Sequence, residues 1–372
     1  MSSPAVESLR PLKVLFLTRY PVDGASSRYR VYQYLPHFEA LGVQCRVQSF
    51  MSQAMYQLSF SKGRSLRKMW ETGKAVLRRL VVLAGYGRYD IIYMQRELLP
   101  FGPPVIERFL RWRGATLVFD YDDALFIHKP SRYNPLASLL RSPDKVRQLF
   151  GIVHCVIAGN DWLRDEARKS GAQAETVEVA EDTVRIQPHG PHTNDVPVTL
   201  GWLGSSSTVK YLRLIEPVLV ELAARNPQLR FEIMGGGEFS MPGVPWTLTP
   251  WSLDGELEAL RRFDIGIMPL PDEQWANGKS GGKARTYMAA GVVPVCAAVG
   301  YNLELIDHGR TGFLCASHDD WLQTLHRLVG DASLRDRVGR AAREEVTRRF
   351  SPLVQAARLR AIFDTLVARA RP

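Results

Sequence analysis

The 372-residue sequence is poor in cysteine and contains no long apolar run. Its four cysteines lie far apart, at Cys45, Cys155, Cys296 and Cys315. Without the paired spacing of a zinc site they are expected to be buried thiols, and neither a metal site nor a disulfide is predicted. The longest apolar stretches, such as residues 80–85 and 291–300, are much shorter than the roughly 20 residues of a membrane-spanning helix. The first eleven residues lack the apolar segment of a signal peptide, which predicts a cytoplasmic protein.

Acidic residues are fewer than basic ones, and the shortage lies in the first half of the chain. The 48 Lys and Arg residues exceed the 38 Asp and Glu residues and give a net charge of +10 at pH 7. Residues 1–190 contain 27 basic and 18 acidic side chains, whereas residues 191–372 contain 21 and 20. Such a surplus suits a phosphorylated ligand, an anionic membrane surface or nucleic acid. Nucleic acid is not expected, because no recognised nucleic-acid-binding motif is present and the surplus is concentrated in one segment.

That segment is residues 62–88, in which Glu71 is the only acid. Its basic residues are Lys62, Arg64, Arg67, Lys68, Lys74, Arg78, Arg79 and Arg88. Large apolar residues such as Trp70 and Leu77 lie between them at mixed helical spacing, which predicts a basic amphipathic helix. Such a helix can lie on an anionic membrane surface and would make the protein peripheral at the inner membrane face. The alternative is a helix with one face in the core and a solvated basic face.

Short apolar segments alternate with helical patterns, which predicts βαβ units and parallel, doubly wound sheets. Eleven strands are predicted, over residues 13–18, 43–50, 90–94, 115–120, 153–158, 175–179, 197–203, 229–234, 264–269, 292–297 and 312–314. The pattern restarts at Pro197, after a linker over residues 187–195 that is rich in Pro, His and Gly. We therefore predict domains over residues 1–190 and 191–350, followed by a C-terminal helix within residues 351–372.

Ligands of doubly wound sheets bind at the carboxyl ends of the strands, so two such domains facing each other would form a cleft and bind one substrate each. The most informative loop in such a position is the glycine-rich one. Gly278, Gly281 and Gly282 allow close backbone approach, and their amides at a helix N-terminus suit phosphate oxygens. Lys279 and Lys283 lie four residues apart and can add positive charge to a diphosphate. The loop does not match the Walker A pattern, and the alternative is an ordinary turn with two solvated lysines.

A second loop, residues 201–208, follows a predicted strand and precedes a helix. Gly204 and the hydroxyls of Ser205 and Ser206 can bind a phosphate or a sugar. Lys210 adds a positive charge within the first helical turn. The alternative is an ordinary serine N-cap.

Three carboxylates end a predicted strand of the first domain, at Asp120, Asp122 and Asp123. Carboxylates in this position can hold a divalent cation, accept hydrogen bonds from sugar hydroxyls or act as a general base. Asp120 and Asp122 are two residues apart and should face the same way if the strand continues. The alternative is that these aspartates cap the next element.

The turn after the first strand, residues 23–30, leads into a helix. It lacks the third glycine of a dinucleotide-binding fingerprint, and no acid ends the second strand, so a nicotinamide enzyme is not expected. Arg28 at the helix start can meet an anionic ligand or can be solvated.

In their order and spacing, these residues resemble the retaining glycosyltransferases of family four, the group-one class with the GT-B fold of two facing Rossmann-like domains. The segments that carry the resemblance across most of the chain are residues 26–30, 119–124, 158–160, 201–207, 234–238, 263–270, 278–283, 287–295 and 308–313. The resemblance implies transfer of a hexose-type sugar from a nucleotide-diphosphate sugar to an acceptor hydroxyl with retention, without a metal or other cofactor. It also implies a C-terminal helix that crosses back onto the first domain, and a role in cell-surface glycan or polysaccharide synthesis. The acceptor would be a glycan, a lipid-linked molecule or a small molecule.

The loops described above, together with the resemblance, predict two groups of site residues. The donor-binding residues are Gly24, Arg28, Gly204, Ser205, Ser206, Lys210, Gly278, Gly281, Gly282 and Thr286. The catalytic residues are Asp122, Asp123, Lys279 and Lys283. Asp122 or Asp123 would orient or deprotonate the acceptor, unless the departing phosphate takes that proton.

One departure from the family pattern concerns a pair of glutamates. The family usually carries two of them, eight positions apart, near the donor sugar and the ribose, whereas here Gly278 and Thr286 occupy those positions. A branch of the family with glycine and lysine in this loop is more similar, and there the segment 279–283 would take the diphosphate. The alternative is a non-catalytic sugar-nucleotide or glycan-binding protein on a degenerate scaffold.

Overall fold

The computed structural model describes residues 10–59, 61, 63–127, 144–188, 190–192 and 197–370. Lys62 of the basic segment and residues 189 and 193–195 of the predicted linker lie outside the described residues. The chain forms two compact units: unit 1 comprises residues 1–177 and 355–372, and unit 2 comprises residues 178–354. The predicted boundary between residues 190 and 191 lies within unit 2.

Unit 1 contains one six-stranded parallel sheet. Its strands are β1 (Leu12–Thr18), β2 (Val43–Ser49), β3 (Ile91–Gln95), β4 (Leu117–Tyr121), β5 (Cys155–Ala158) and β6 (Ala174–Thr176). They are arranged in the order β2-β1-β3-β4-β5-β6. The helices are α1 (Ala25–Arg30), α2 (Leu35–Ala40), α3 (Gln53–Ser59), α4 (Ser65–Ala84), α5 (Val105–Trp112), α6 (Asp144–Phe150) and α7 (Asp161–Lys169). Short 3₁₀ turns cover Tyr32–Tyr34 and Tyr86–Arg88.

Unit 2 contains a second six-stranded parallel sheet. Its strands are β7 (Thr199–Gly204), β8 (Arg230–Gly235), β9 (Trp246–Thr249), β10 (Ile265–Met268), β11 (Val293–Ala297) and β12 (Phe313–Cys315). Their order is β12-β11-β10-β7-β8-β9, which is the strand order of a Rossmann fold. The helices are α8 (Glu216–Arg225), α9 (Leu253–Arg262), α10 (Gln274–Asn277), α11 (Gly282–Ala289), α12 (Asn302–Leu305), α13 (His318–Gly330) and α14 (Ala332–Phe350), and a 3₁₀ helix covers Val209–Ile215.

The last helix, α15 (Pro352–Ala370), contributes to the core of unit 1. Its Phe363 is fully buried, and its ring centroid lies 6.2 Å from that of Phe38 in α2 and 5.9 Å from that of Tyr93 in β3. Phe16 of β1 stacks on Phe38 at 5.4 Å. One aromatic cluster therefore joins the sheet, an early helix and the last helix of the chain.

Each of the eleven predicted strands overlaps an observed one, and β9 is an addition. Two predicted helices are interrupted. The sequence predicts one helix over residues 29–41, ending at Gly42. In the structure a 3₁₀ turn divides it between α1 and α2, because Pro36 lies at the start of α2 and cannot continue a preceding helix. The one expected between Thr208 and about Arg225 begins as a 3₁₀ helix and becomes α-helical at Glu216, next to Pro217.

No helix among the described residues has both the length and the apolar character needed to cross a membrane.

Candidate functional site

The strand order of unit 2 reverses between two neighbouring strands, β7 and β10. The chain leaves their carboxyl ends in opposite directions across the sheet, which opens a crevice at that edge, and ligands of doubly wound folds bind there. Tyr287 of α11 ties the two strands together. Its hydroxyl accepts a hydrogen bond from the Leu203 amide at 3.1 Å and donates to the Ile267 carbonyl at 3.3 Å. The N-terminal part of α11 is thereby held at this edge.

The structure brings the two predicted donor loops of unit 2 into contact at Gly204 and Lys283. A Cβ atom at Gly204 would lie 2.8 Å from Cε of Lys283 and 2.6 Å from the indole of Trp202. The Lys283 ammonium lies 5.2 Å from the centroid of that indole ring. Only a glycine at position 204 leaves room for the lysine to cross the end of β7.

Lys283 is half-buried, and within the described part of the chain its ammonium has no acidic partner. Burial and the nearby positive charge of Lys279 lower the pKa of Lys283 to about 8. Lys279 itself is half-buried, with its ammonium 4.3 Å from the centroid of the Trp275 ring. Two neighbouring cations held against aromatic rings would be stabilised by an anionic ligand.

The N-terminus of α11 is open to a ligand. Gly281 takes the N-cap position with φ +65°, and no side chain caps the first amides of the helix. A Cβ atom at Gly281 would lie 2.6 Å from Leu305, whereas one at Gly282 would meet nothing within 4 Å. Amides at such an end attract anionic oxygen atoms. Gly278 is buried in the preceding turn, where its amide donates to the Trp275 carbonyl.

The serine loop after β7 is exposed. Ser205 and Ser207 share a hydrogen bond of 2.8 Å between their hydroxyls, and Ser206 is exposed beside them. Lys210 is also exposed, with its ammonium 5.2 Å from the centroid of the Tyr211 ring. These groups are accessible at the edge of the sheet that Lys283 crosses.

Three consecutive glycines after β8 extend this edge. Gly235, Gly236 and Gly237 all have positive φ, and a Cβ atom at Gly235 would overlap the carbonyl oxygen of Gly204. The Gly236 amide donates to the same carbonyl at 3.0 Å. The sequence contains this glycine run but gives no signal that it packs against the loop after β7.

Thr286, at one of the two glutamate positions, is buried in unit 2. Its hydroxyl lies 2.9 Å from a carboxylate oxygen of Glu181 and 3.0 Å from the carbonyl of Gly282. The side chain thus has partners within unit 2. Glu181, which is also buried, was missed because it belongs to no local motif.

Arg285, next to these residues in α11, is fully buried between two aromatic rings. Its guanidinium carbon lies 5.9 Å from the centroid of Tyr301 and 5.4 Å from that of Phe350. None of its three side-chain nitrogens has a hydrogen-bond partner in the described part of the chain. A carboxylate nearby, Glu178, instead accepts from Tyr301 and from Arg349, at 3.1 Å from Nε of Arg349. A desolvated guanidinium without hydrogen bonds is costly, so Arg285 is a further candidate for an anionic ligand.

The strand order of unit 1 reverses between β1 and β3, and a polar network lies at that edge. The Ser26 hydroxyl lies 2.9 and 2.8 Å from the two carboxylate oxygens of Asp122. The side-chain amide of Gln95 donates to Ser26 at 2.9 Å and accepts from Ser27 at 2.8 Å. Asp122 is thus buried and oriented by neighbours that the sequence did not connect with it.

The other two aspartates of this strand end differ in their surroundings. Asp120 is fully buried and forms an ion pair with Arg30. Burial raises the pKa of Asp120 above its usual range, although Arg30 opposes the shift. β4 ends at Tyr121, so the strand does not continue to Asp122, but Asp120 and Asp122 both contact α1. Asp123 is more exposed and lies 3.4 Å from Arg96.

The remaining predicted residues lie at the start of α1. Gly24 is its N-cap residue, and a side chain there would overlap Tyr20. Arg28 is buried, with its guanidinium 5.0 Å from the centroid of the Tyr29 ring and 3.5 Å from the Asp23 carbonyl. Within the described ranges of both units, no group of three or more His, Cys, Asp or Glu side chains is arranged to hold a metal ion.

Comparisons with known proteins agree with this geometry. Residues 197–331 match the family model described as Glycosyl transferases group 1. A search of curated proteins finds no match.

Among solved structures, HepE from Anabaena in complex with UDP-glucose has a TM-score of 0.66 at 14% identity, covering 95% of this chain and 100% of that one. Sucrose-phosphate synthase from Thermosynechococcus elongatus has a TM-score of 0.65 at 14% identity, covering 96% and 100%. A glycosyltransferase from Rickettsia africae has a TM-score of 0.66 at 13% identity, covering 96% and 98%. The predicted α/β architecture of two doubly wound parallel sheets, the GT-B fold, is confirmed.

Proposed function

We propose that this protein is a glycosyltransferase that moves a sugar from a nucleotide-diphosphate sugar to an acceptor hydroxyl. The observation that carries the proposal is the position of Lys283, a half-buried cation without an acidic partner in the described part of unit 2, at the point where the strand order reverses. The group-one family match covers this region. The UDP and UDP-glucose complexes of HepE, which shares the fold, support the donor class.

Unit 2 stabilises the leaving diphosphate. Negative charge develops on the phosphate oxygen as the sugar departs, and preorganised cations and amides at that position lower the barrier. Lys283 and Lys279 supply the cations, and the first amides of α11 at Gly281 and Gly282 supply oriented dipoles. The exposed hydroxyls of the loop after β7 contact the diphosphate or the sugar. In this proposal the chain itself neutralises the developing charge, in place of a metal ion.

Unit 1 orients the acceptor through Asp122. Its carboxylate is held by Ser26 at the edge where ligands of doubly wound sheets bind. A buried, oriented carboxylate can accept the hydrogen bond of an acceptor hydroxyl and align it for attack. Asp123, which is more exposed and pairs with Arg96, is the second candidate. With retention at the anomeric carbon, the departing phosphate is an alternative acceptor for the proton.

The finer assignments follow the sequence resemblance. They are a hexose-type donor, retention, synthesis of a cell-surface glycan or polysaccharide in the cytoplasm, and a glycan, lipid-linked or small-molecule acceptor. A nucleotide-sugar-binding protein without activity is the second candidate. It is favoured by Thr286, which stands where the family usually has a glutamate and has partners inside unit 2.

A panel of radiolabelled nucleotide-diphosphate sugars, beginning with UDP-glucose and including EDTA controls, tests the proposal. We expect wild-type protein to release nucleoside diphosphate from one donor, with EDTA having no effect. Lys283→Ala should lower the rate by about 10²–10³-fold, the typical effect of removing one electrostatic stabiliser of the transition state. Lys169→Ala, an exposed lysine of unit 1, serves as the matched control and should retain full activity.

Two results would separate the candidates. Stabilisation by a nucleotide without release or transfer from any donor would support the binding protein. A ligand at about 100 times its dissociation constant adds roughly 2.7 kcal/mol to the free energy of unfolding, which a thermal shift detects. Normal turnover by Lys283→Ala would overturn the diphosphate assignment.

A further inference from the structure

Helix α4 of unit 1 has a stripe of large apolar side chains that faces solvent. Leu66 is 82% exposed and Trp70 is 69% exposed. The other members of the stripe are also exposed: Met69, Leu77, Leu80 and Val81. Their spacing follows one face of a helix over more than four turns. A surface helix of a globular protein normally turns such a face toward the core.

The opposite face of α4 holds the helix to unit 1. Ala75, Arg79 and Leu83 are its buried residues. Arg79 donates a hydrogen bond of 2.7 Å to the carbonyl of Thr18 at the end of β1, and its guanidinium lies over the ring of Phe50. Burial and the nearby Arg19 lower the pKa of Arg79 to about 9. A buried arginine therefore attaches the helix, while most of its large apolar side chains are left outside.

Helix α5 also exposes a stripe of large apolar side chains, although its Leu110 is buried in the core. Val105, Phe109 and Trp112 follow one face at intervals of four and three residues, and all three are exposed. The rings of Phe109 and Trp112 lie 6.0 Å apart. Helix α4 connects β2 to β3 and α5 connects β3 to β4, so right-handed crossovers place both on one side of the sheet. Arg113, directly after α5, donates a hydrogen bond of 3.1 Å to the hydroxyl of Tyr86, two residues after α4. This bond joins the segments at the C-terminal ends of the two helices.

Exposed basic residues accompany both apolar stripes. On α4 they include Arg67, Lys74 and Arg78, and on α5 they are Arg108 and Arg111. The one acid of α4, Glu71, is bound to Lys74 at 2.6 Å. The one acid of α5, Glu107, is buried. The surface thus combines tryptophan, aliphatic side chains and an excess of positive charge, which are the features of a helix that lies in the interface of an anionic bilayer.

We propose that unit 1 docks on an anionic membrane surface through α4 and α5, with Trp70, Leu77 and Trp112 entering the headgroup region. Positive charge favours lipid phosphates over a second copy of this basic chain, because like charges on two such faces would repel. The amphipathic tryptophan ring suits the boundary between headgroups and acyl chains. The docking surface is separate from the residues assigned to donor and acceptor, so its test does not depend on the proposed transfer reaction.

Flotation of the full-length protein with two kinds of vesicle tests the proposal. One kind is phosphatidylcholine alone, and in the other phosphatidylglycerol replaces a third of the lipid. We expect wild-type protein to float with the anionic vesicles and to remain behind with the neutral ones. The variant Trp70→Ser/Leu77→Ser/Trp112→Ser should bind the anionic vesicles at least tenfold more weakly. Because these side chains are exposed, its thermal unfolding should match that of the wild type.

Two further variants sharpen the test. Leu214→Ser/Leu303→Ser removes two comparably exposed leucines of unit 2 and should bind like the wild type. Arg67→Gln/Lys74→Gln/Arg78→Gln should weaken binding by about fivefold for each charge removed near the surface. Normal flotation of the Trp70, Leu77 and Trp112 variant with anionic vesicles would overturn the proposal. A wild-type protein that does not bind anionic vesicles would overturn it too. A concentration-dependent wild-type dimer that this variant abolishes would instead assign the stripe to a second copy.

Discussion

The Cε atom of Lys283 lies 2.8 Å from the position that a Cβ atom at Gly204 would occupy. The lysine comes from α11 and the glycine from the end of β7, and their contact unites two loops that are far apart in the sequence. The size of residue 204 therefore controls where the Lys283 ammonium lies.

Gly204→Ala should be destabilising. The new methyl group would press on the Trp202 ring and on Lys283, and overpacking of this kind costs about 1–3 kcal/mol. Urea denaturation measures the change, with Gly330→Ala as the control because that position is open. Gly330→Ala should be neutral or slightly stabilising. Equal stability of the two variants would mean that the space at Gly204 can adapt.

Donor binding should weaken as the pH rises through the pKa of Lys283. The folded-state pKa of about 8 lies below the ordinary lysine value of 10.5, so the charged form is progressively lost above about pH 8. Only the charged form attracts a diphosphate. Isothermal titration of UDP-glucose between about pH 7 and about pH 9 should show falling affinity, and Lys283→Arg should abolish that fall because arginine stays protonated. A flat wild-type profile would contradict the assignment.

The stability of the protein without ligand should change in the opposite direction. Between about pH 8 and the unfolded-state value of 10.5, the unfolded chain binds more protons at Lys283 than the folded one, so this residue's contribution to the free energy of unfolding rises with pH. Comparing wild type with Lys283→Met in urea denaturation at several pH values isolates that contribution. The charged Lys283 destabilises the folded wild type relative to Lys283→Met, and this difference in the free energy of unfolding should become smaller as the pH increases.

Two fully buried arginines should respond differently to removal of their charge. Arg30→Met would leave Asp120 buried and unpaired, at a cost of about 3–5 kcal/mol in the free energy of unfolding. Arg285→Met removes a guanidinium whose nitrogens Nε, Nη1 and Nη2 have no hydrogen-bond partner among the described residues. This variant should therefore lower the free energy of unfolding much less than Arg30→Met does. If Arg285 meets a donor, the same variant should reduce the nucleotide-induced thermal shift. A loss for Arg285→Met as large as that for Arg30→Met would show that its ring contacts dominate.

Asp122→Asn should impair transfer more than Asp123→Asn. Asp122 is buried and held by Ser26, whereas Asp123 is half-exposed and pairs at 3.4 Å with Arg96. Proton transfer by a positioned side chain typically contributes about 10²–10⁴-fold to the rate, so kcat should fall by about that factor if Asp122 accepts the acceptor's proton. Steady-state kinetics together with donor affinity provide the check, since the dissociation constant of the donor should stay unchanged. The reverse ranking would identify Asp123 as the acting residue.

The sheets could be predicted because parallel strands buried on both faces are short, continuous apolar segments. The glycine and lysine loops could be recognised because they follow such strands. Pro36, at the start of α2, is also a signal in the sequence that the helix is interrupted there.

The orientation of α4 could not be predicted, because helical spacing defines its faces without showing which one meets the core. Here the core side contains Arg79, and the apolar stripe is outside. Lys283 and Arg285 illustrate the same limit. They are two residues apart in one helix but differ in burial and in surroundings. Lys283 crosses the end of β7, whereas Arg285 lies between Tyr301 and Phe350. Glu178 and Glu181 acquire their partners through the fold and have no local signal.

The contribution of Phe363 to the aromatic cluster of unit 1 has a consequence for biosynthesis. The ribosome makes β1, α2 and β3 early, but the ring that packs against Phe16, Phe38 and Tyr93 emerges after all of unit 2 has been translated. Domains usually complete their folding in the order of synthesis. In this chain the unit that is synthesised first completes its core last. The apolar surface that Phe363 covers therefore stays exposed in nascent unit 1 until α15 has been synthesised.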